Sequence, residues 1–272
     1  MRKISRVENF YDGAAQYEWD RLERHRTEFA VTLRALKDYL PAPPARIADI
    51  GGGPGRYSIA LAQRGYVVTL VDISSNSLAF AGKKAREAGV KLSRCVHACA
   101  TDLSKLPAER FDAVLLMGPM YHLWRKSERQ QAIREAIRLI KPNGLLFASF
   151  VTRHAVFRSI AKSVPEKMLG KRYRAHMYKI LETGIYNPIS KKYGWTHAYF
   201  AHPAEIKPLF EQAGMESLDL IGCEGVVSMI EDKVNELQGE AWEQWVELNY
   251  RLGKDPCLQG AAEHLLYVGK KQ

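Results

Sequence analysis

A chain of 272 residues that is 46% apolar and 26% charged has the composition of a folded globular protein and is too apolar for a disordered one. No apolar run approaches the roughly 18 residues needed to cross a bilayer, and the basic start is not followed by the apolar stretch of a secretory leader, so a cytoplasmic protein with no membrane partner is expected. The net charge of +10 is unevenly spread: residues 151–193 carry ten Lys or Arg against two acids, and residues 201–272 carry six against thirteen.

Residues 1–44 read as an N-terminal helical cap. Leu22, Phe29, Leu33, Leu36 and Leu40 recur at helical spacing and predict one amphipathic helix that stops at Pro41, Pro43 and Pro44. Ahead of it, Tyr11, Tyr17 and Trp19 are candidates to close over a ligand, with plain packing as the alternative.

The segment from Ile47 to Asp72, IADIGGGPGRYSIALAQRGYVVTLVD, is the organising stretch. It reads as an apolar strand, a glycine turn through Gly51, Gly52, Gly53, Pro54 and Gly55, a helix, and a second apolar strand closed by Asp72. In such a β-α-β unit the turn lies at the carboxyl end of the first strand, where parallel sheets bind ligands and missing Cβ atoms admit a ligand against bare backbone. An acid ending the second strand is placed to accept from a ribose diol. A dinucleotide fingerprint needs G-x-G-x-x-G, but here the third glycine arrives one residue early and Arg56 follows it, which weakens an NAD reading. A tight turn with no ligand is the bland alternative.

Further on, Ser74 to Glu87 predicts a helix with serine caps, and Lys91 to Ala98 a third strand. Phe111 to Met117, FDAVLLM, is a continuous apolar run suited to a central strand, followed by Gly118, Pro119, Met120, Tyr121 and His122. A helix over Ser127 to Ile140 is expected to stop at the K-P-N-G turn of residues 141–144, before a strand from Leu145 to Val151. The alternation then breaks: residues 152–200 predict a basic, Tyr-rich helical lid with no parallel strand. Its charge marks an anionic partner or pairs with the acidic C-terminal part. Last come a helix opened by His202 to Glu205, a strand from Met215 to Cys223, a helical insertion at about 225–262, and a strand HLLYVGKK at 264–271. Cys95, Cys99, Cys223 and Cys257 have no metal-ligand spacing, which predicts buried free thiols, no disulfide framework and no metal.

Asp49 with the glycines completes D-x-G-x-G-x-G, and this resembles motif I of the class I S-adenosylmethionine-dependent methyltransferases. The resemblance is specific over about residues 45–150, where G-P-x-Y-H-L follows the fourth strand, and looser over 200–272. It implies a doubly wound, seven-stranded, mostly parallel α/β sheet, with residues 45–151 as the cofactor-binding core, 152–200 as a lid, and 201–272 completing the core. It implies S-adenosyl-L-methionine as cofactor and S-adenosyl-L-homocysteine as product. Asp49, Gly51 and Gly53 are then placed by the methionine portion, Asp72 and Ile73 by the ribose, Asp102 and Leu103 by the adenine, with a turn or helix-cap role as the alternative for Asp102, and Met117 beside the transferred methyl, with Tyr17 closing over the cofactor. Arg24 and His25 become candidates for the methionine carboxylate, and Arg153, His154, Arg158, Tyr173, Arg174, Tyr178 and Tyr199 for the lid's acceptor side.

Methyl transfer is an in-line displacement, so the site must align a nucleophile and exclude water, and a base is needed only if the nucleophile arrives protonated. His122 is the candidate base, with a wall or backbone-bonding role as its alternative, and Tyr121 is the polar pocket residue. The acceptor is expected to be a small molecule, anionic or aromatic. RNA is the alternative acceptor, although the chain lacks an N/D-P-P-Y/F base-flipping motif. A non-catalytic protein that binds the cofactor or its product is a third reading. Oligomeric state and the atom methylated are open.

Overall fold

The computed structural model describes residues 4–188 and 196–272. The first strands are β1 (Arg46–Ile50), β2 (Val67–Asp72), β3 (Arg94–His97), β4 (Phe111–Leu116) and β5 (Ile140–Val151), followed by a short pair, β6 (Ile185–Tyr186) and β7 (Ala198–Tyr199), and by β8 (Met215–Gly222) and β9 (His264–Lys271). Seven of them form one sheet in the order β3-β2-β1-β4-β5-β9-β8. β1 to β5 run parallel, and β9 is antiparallel to both its neighbours. This is the doubly wound α/β architecture the resemblance implies. Its order reverses between β1 and β4, which opens a crevice at the carboxyl ends of those strands.

Successive side chains point to opposite faces of a strand, and the sheet sorts its core accordingly. Ile47, Leu70, Leu115 and Phe147 join one cluster, with Val31, Ala35 and Leu36 of the N-terminal helices. Ala48, Val71, Leu116 and Phe150 join the other, with Ile133, Phe210 and Tyr267. Phe210 and Tyr267 stack with centroids 3.9 Å apart. Both faces are therefore covered, as the near-continuous apolar sequence of β4 requires.

The N-terminal region is helical as expected, but the stretch from Leu22 to Leu40 is divided between two helices rather than forming one. The region forms α1 (Ile4–Asp12), α2 (Ala15–Arg24) and α3 (Arg26–Tyr39), broken at His25, whose φ of −100° and ψ of 59° leave the helical region. Leu22 thus belongs to α2, and the core face of α3 is carried by Val31, Ala35 and Leu36.

The helices over the core strands are α4 (Arg56–Ala62), α5 (Ser75–Glu87), the short α6 (Pro119–His122) and α7 (Lys126–Leu139). Ser74 caps α5, its side chain accepting from Ser77 N. β5 starts at Ile140 rather than Leu145: Asn143 takes a φ of 63° and the K-P-N-G stretch runs on as strand instead of turning out of the helix. β3 is shorter than expected, beginning at Arg94.

After β5, α8 (Arg153–Ser163) and α9 (Lys171–Thr183) pack with β6 and β7 around Ala155, Met177, Ile180, Ala198 and Phe200. Lys191 and Lys192, counted in the basic segment, lie outside the described residues. α10 (Pro203–Glu211) is opened by a capping box between His202 and Glu205. The segment between β8 and β9 carries α11 (Asp232–Asn235) and α12 (Gly239–Gly253), and α12 packs on α3. Among the cysteines only Cys223 is buried, while Cys95 and Cys257 are exposed and Cys99 is half-buried. The expectation of four buried thiols is corrected, because the edge strand β3 leaves Cys95 facing solvent.

Candidate active site

β1 delivers Asp49 to the crevice, fully buried, with Oδ2 accepting from Ser58 Oγ of α4 at 2.7 Å. Its other oxygen, Oδ1, is buried with no hydrogen-bond partner among the described residues. Burial pushes this carboxyl up to about 6. The glycine turn follows, with Gly51, Gly53 and Gly55 all at positive φ. A Cβ on Gly51 would lie 2.5 Å from Pro119 Cδ, so the turn and the loop after β4 are in direct contact.

Asp72 ends β2 and is nearly buried. Its Oδ2 accepts from Gly53 N and its Oδ1 from Ser74 N, both at 2.8 Å. Two backbone donors thus fix the carboxylate plane while leaving lone pairs toward the crevice. Burial raises its pKa, opposed by those same backbone bonds.

One pocket runs from this turn to the N-terminal helices. Asp49, Gly51, Gly53, Asp72, Ile73, Met117, Tyr121 and His122 all line it. Three predicted positions do not. Tyr17 is 63% exposed on the outside of α2, its ring against Arg24. Asp102 is carried away from the pocket by a tight turn in which its N donates to Cys99 O at 2.9 Å, and its exposed carboxylate accepts from Ser104 N. Leu103 is wholly buried in the core, its N donating to Glu135 Oε2. The wall after β3 consists of Ala98, Cys99 and Ala100.

Sequence reasoning missed most of the pocket's polar lining on α2 and α3: Glu18, Arg21 and Glu28. Their signal was present as Glu18 and Arg21 three residues apart, but such a pair is indistinguishable from a solvated helix face without knowing where the helix docks. Arg24 and His25 do not line the pocket; His25 Nδ1 lies 3.7 Å from Glu231 Oε1. None of the seven lid candidates lines it either. Arg153 is buried and pairs with Glu205, Arg158 donates to the carbonyls of Ser228 and Ala261, and Tyr199 bonds Glu205.

Tyr11 of α1 reaches across the pocket to His122, with Tyr11 Oη 2.6 Å from His122 Nε2 and the two rings edge to face. Tyr121 packs beside the same imidazole. Burial, with a smaller contribution from Arg21, lowers the His122 pKa to about 3, so the ring is neutral at ordinary pH. On the pocket wall Arg21 pairs with Glu28, and behind it Glu28 joins Glu224 and His264 in a buried cluster. Two carboxylates facing Arg21 and a charged imidazole account for this cluster as ion pairs.

The fold is a Rossmann-like α/β sheet with its crevice at the β1–β4 switch point, where such sheets bind ligands. Residues 47–144 match the family described as "Methyltransferase domain". The ubiquinone biosynthesis O-methyltransferase of Coxiella burnetii is 26% identical over 193 residues, spanning 71% of this chain and 72% of that one. Its namesake from Aromatoleum aromaticum is 30% identical over 179 residues, 65% and 66% of the two chains. Among solved structures, a SAM-dependent methyltransferase from Methanosarcina mazei superposes with a TM-score of 0.59 at 20% identity, over 87% of this chain and 96% of that one. The chain belongs to the class I S-adenosylmethionine-dependent methyltransferases, and it is an enzyme of methyl transfer.

Proposed function

We propose that the protein methylates a hydroxyl group on a small aromatic acceptor. The observation that carries this reading is a single pocket joining the glycine turn and Asp72 to Tyr11, Tyr121 and His122. The relatives named as O-methyltransferases support the choice of oxygen. The basic lid is weak support for RNA, because Arg153, Arg158 and Lys162 spend their donors on Glu205 and on backbone carbonyls of this same chain. No helix among the described residues is long and apolar enough to cross a membrane.

The residues present fit the cofactor. Asp49 Oδ1, buried without a partner, is an acceptor awaiting a donor or cation, and the methionine ammonium is both. Asp72 would hold the ribose hydroxyls, Ile73 and the Ala98–Cys99–Ala100 wall the adenine faces, and Met117 the region next to the methyl. The cofactor supplies a methyl group on a positively charged sulfur. The protein's own part is to exclude water with α1 and α2, to align the acceptor against Tyr121 and His122, and to present acids rather than bases around a cationic centre. Glu18, Glu28, Asp49 and Asp72 outnumber Arg21 and Arg56 there.

The test is a screen of catechols and amines as methyl acceptors with radiolabelled S-adenosylmethionine. Label appearing in catechols supports the proposal, and label confined to amines or to tRNA overturns it.

A further inference from the structure

His122 poses a chemical difficulty for a hydroxyl acceptor. A proton must leave the acceptor oxygen, yet burial beside Arg21 disfavours the imidazolium that would take it. The structure offers a second group. Tyr11 belongs to a helix of the cap and lines the same pocket as His122, and its hydroxyl meets His122 Nε2 at 2.6 Å, a short contact for a neutral pair. α1 is held there independently of that bond. Asp12 Oδ1 accepts from Ser74 Oγ at 2.6 Å, Asp12 O accepts from Asn76 Nδ2 at 3.1 Å, and Ser74 N in turn donates to Asp72. The side chain that reaches His122 is thus fixed to the turn that carries the proposed ribose acid.

Resting on the hydroxyl-acceptor reading above, we infer that Tyr11 is a catalytic residue, relaying the acceptor's proton to His122 as the methyl group is transferred. With the imidazole hydrogen on Nδ1, Tyr11 donates its own hydrogen to Nε2 and turns an oxygen lone pair toward the acceptor. In the step, the acceptor oxygen bonds the methyl carbon as the carbon–sulfur bond breaks, and that electron pair stays on sulfur. The acceptor's proton passes to Tyr11 Oη while Tyr11's proton passes to His122 Nε2. One positive charge leaves sulfur as one appears on the imidazole, so the pocket's net charge is constant through the step. This removes the difficulty. The neutral ring is the correct starting state beside a sulfonium, and loss of the sulfonium charge is what makes the imidazolium tolerable. Among the described residues, the charged groups acting on the pair are Glu18 and Arg21 of α2 and Asp72 of β2, with Glu28 of α3 lining the same pocket. Burial pushes the Tyr11 hydroxyl well above its ordinary value, with Tyr121 next in effect, so Tyr11 passes its proton on without resting as a phenolate.

The test compares two acceptors of different acidity and reads the imidazole directly. Catechol arrives protonated, whereas in 4-nitrocatechol the hydroxyl para to the nitro group is already ionised in mildly alkaline buffer, and methyl transfer to that oxygen, read from the regiochemistry of the product, has no proton to relay. In Tyr11→Phe, kcat for catechol should fall about 100-fold, the usual worth of general-base help, and the loss for 4-nitrocatechol should shrink to a few-fold. His122→Asn should show the same contrast. The His122 Nε2 signal in nitrogen NMR should shift in Tyr11→Phe with no acceptor present, and S-adenosylmethionine affinity by calorimetry should report that the variants remain folded. Equal losses for both acceptors, a catechol loss under about tenfold, or an unmoved nitrogen signal overturns the relay while leaving the hydroxyl-acceptor reading in place. A wild-type enzyme that methylates phenethylamine and neither catechol overturns both.

Discussion

Arg21 and Glu28 form a two-pronged ion pair across the junction of α2 and α3, with Nη1 2.7 Å from Oε2 and Nη2 3.3 Å from Oε1. Glu28 Oε2 also lies 3.6 Å from His264 Nδ1, which stands 2.5 Å from Glu224 Oε1. The cap is thereby tied to the start of β9 through buried charges. Breaking a buried pair by deleting one partner leaves an uncompensated charge, which typically costs about 3–5 kcal/mol. Glu28→Ala should therefore lower stability by about that amount in urea unfolding, and a loss below about 1 kcal/mol would show that the cluster is solvated in solution.

The same cluster sets a pH dependence. Burial works against a charged His264, but Glu28 and Glu224 outweigh it and raise the ring to about 9 from its ordinary value of 6.5. A raised folded value means that this stabilisation is complete below about 6.5 and is lost as pH climbs through about 9. Burial pushes Glu28 up, yet Arg21 and His264 bring it down to about 2, so its contribution is present above 4.5 and lost as pH falls through about 2. Thermal unfolding should thus show a melting temperature that drops between pH 7 and pH 10, with the drop much reduced in His264→Asn. An identical drop in the variant would assign the alkaline loss to other groups.

Asp72 carries the proposed ribose contact on a carboxylate already fixed by two backbone donors. Removing a buried acceptor that two hydroxyls have paired with costs about 1–3 kcal/mol. Asp72→Ala should weaken S-adenosylmethionine binding by about fivefold to 150-fold in calorimetry. Affinity preserved within about threefold would place the ribose elsewhere.

What could be read ahead of the structure followed from periodicity and turn chemistry. Ile47 to Asp72, the buried run of β4 and the exact span of β9 were visible because strands buried on both faces are continuously apolar and glycine turns have few alternatives. The pocket's far wall was not. Whether Tyr11 or Tyr17 faces the pocket depends on how α1 and α2 dock on either side of the Gly13–Ala14 turn, and the next break, at His25 between α2 and α3, has no glycine or proline to announce it. Asp102 shows a related limit: an acid after a strand serves a turn as readily as a ligand, and its carboxylate accepts from Ser104 N, outside the pocket lining.

That difference is measurable. With Cys99 on the pocket wall and Asp102 outside it, Asp102→Ala should leave S-adenosylmethionine affinity within about threefold. Cys99→Leu adds bulk to a wall the adenine is proposed to meet, and overpacking of this kind costs about 1–3 kcal/mol. The reverse ranking of the two variants would restore the acid to the adenine site.

The glycine turn allows a sharper contrast between two positions with the same backbone demand. Gly51 and Gly53 sit at φ of 69° and 54°, where a side chain is strained by about 1–2 kcal/mol whatever the space around it. A Cβ on Gly53 meets nothing within 4 Å, whereas one on Gly51 lies 2.5 Å from Pro119 Cδ and 2.6 Å from Cγ. Gly53→Ala should then show the backbone strain alone, a modest fall in melting temperature. Gly51→Ala must also displace Pro119, three residues before His122, and should lose more stability and, in the fraction that folds, more methyl-transfer activity. Equal effects at the two positions would mean that Gly51 and Pro119 are not in close contact in solution.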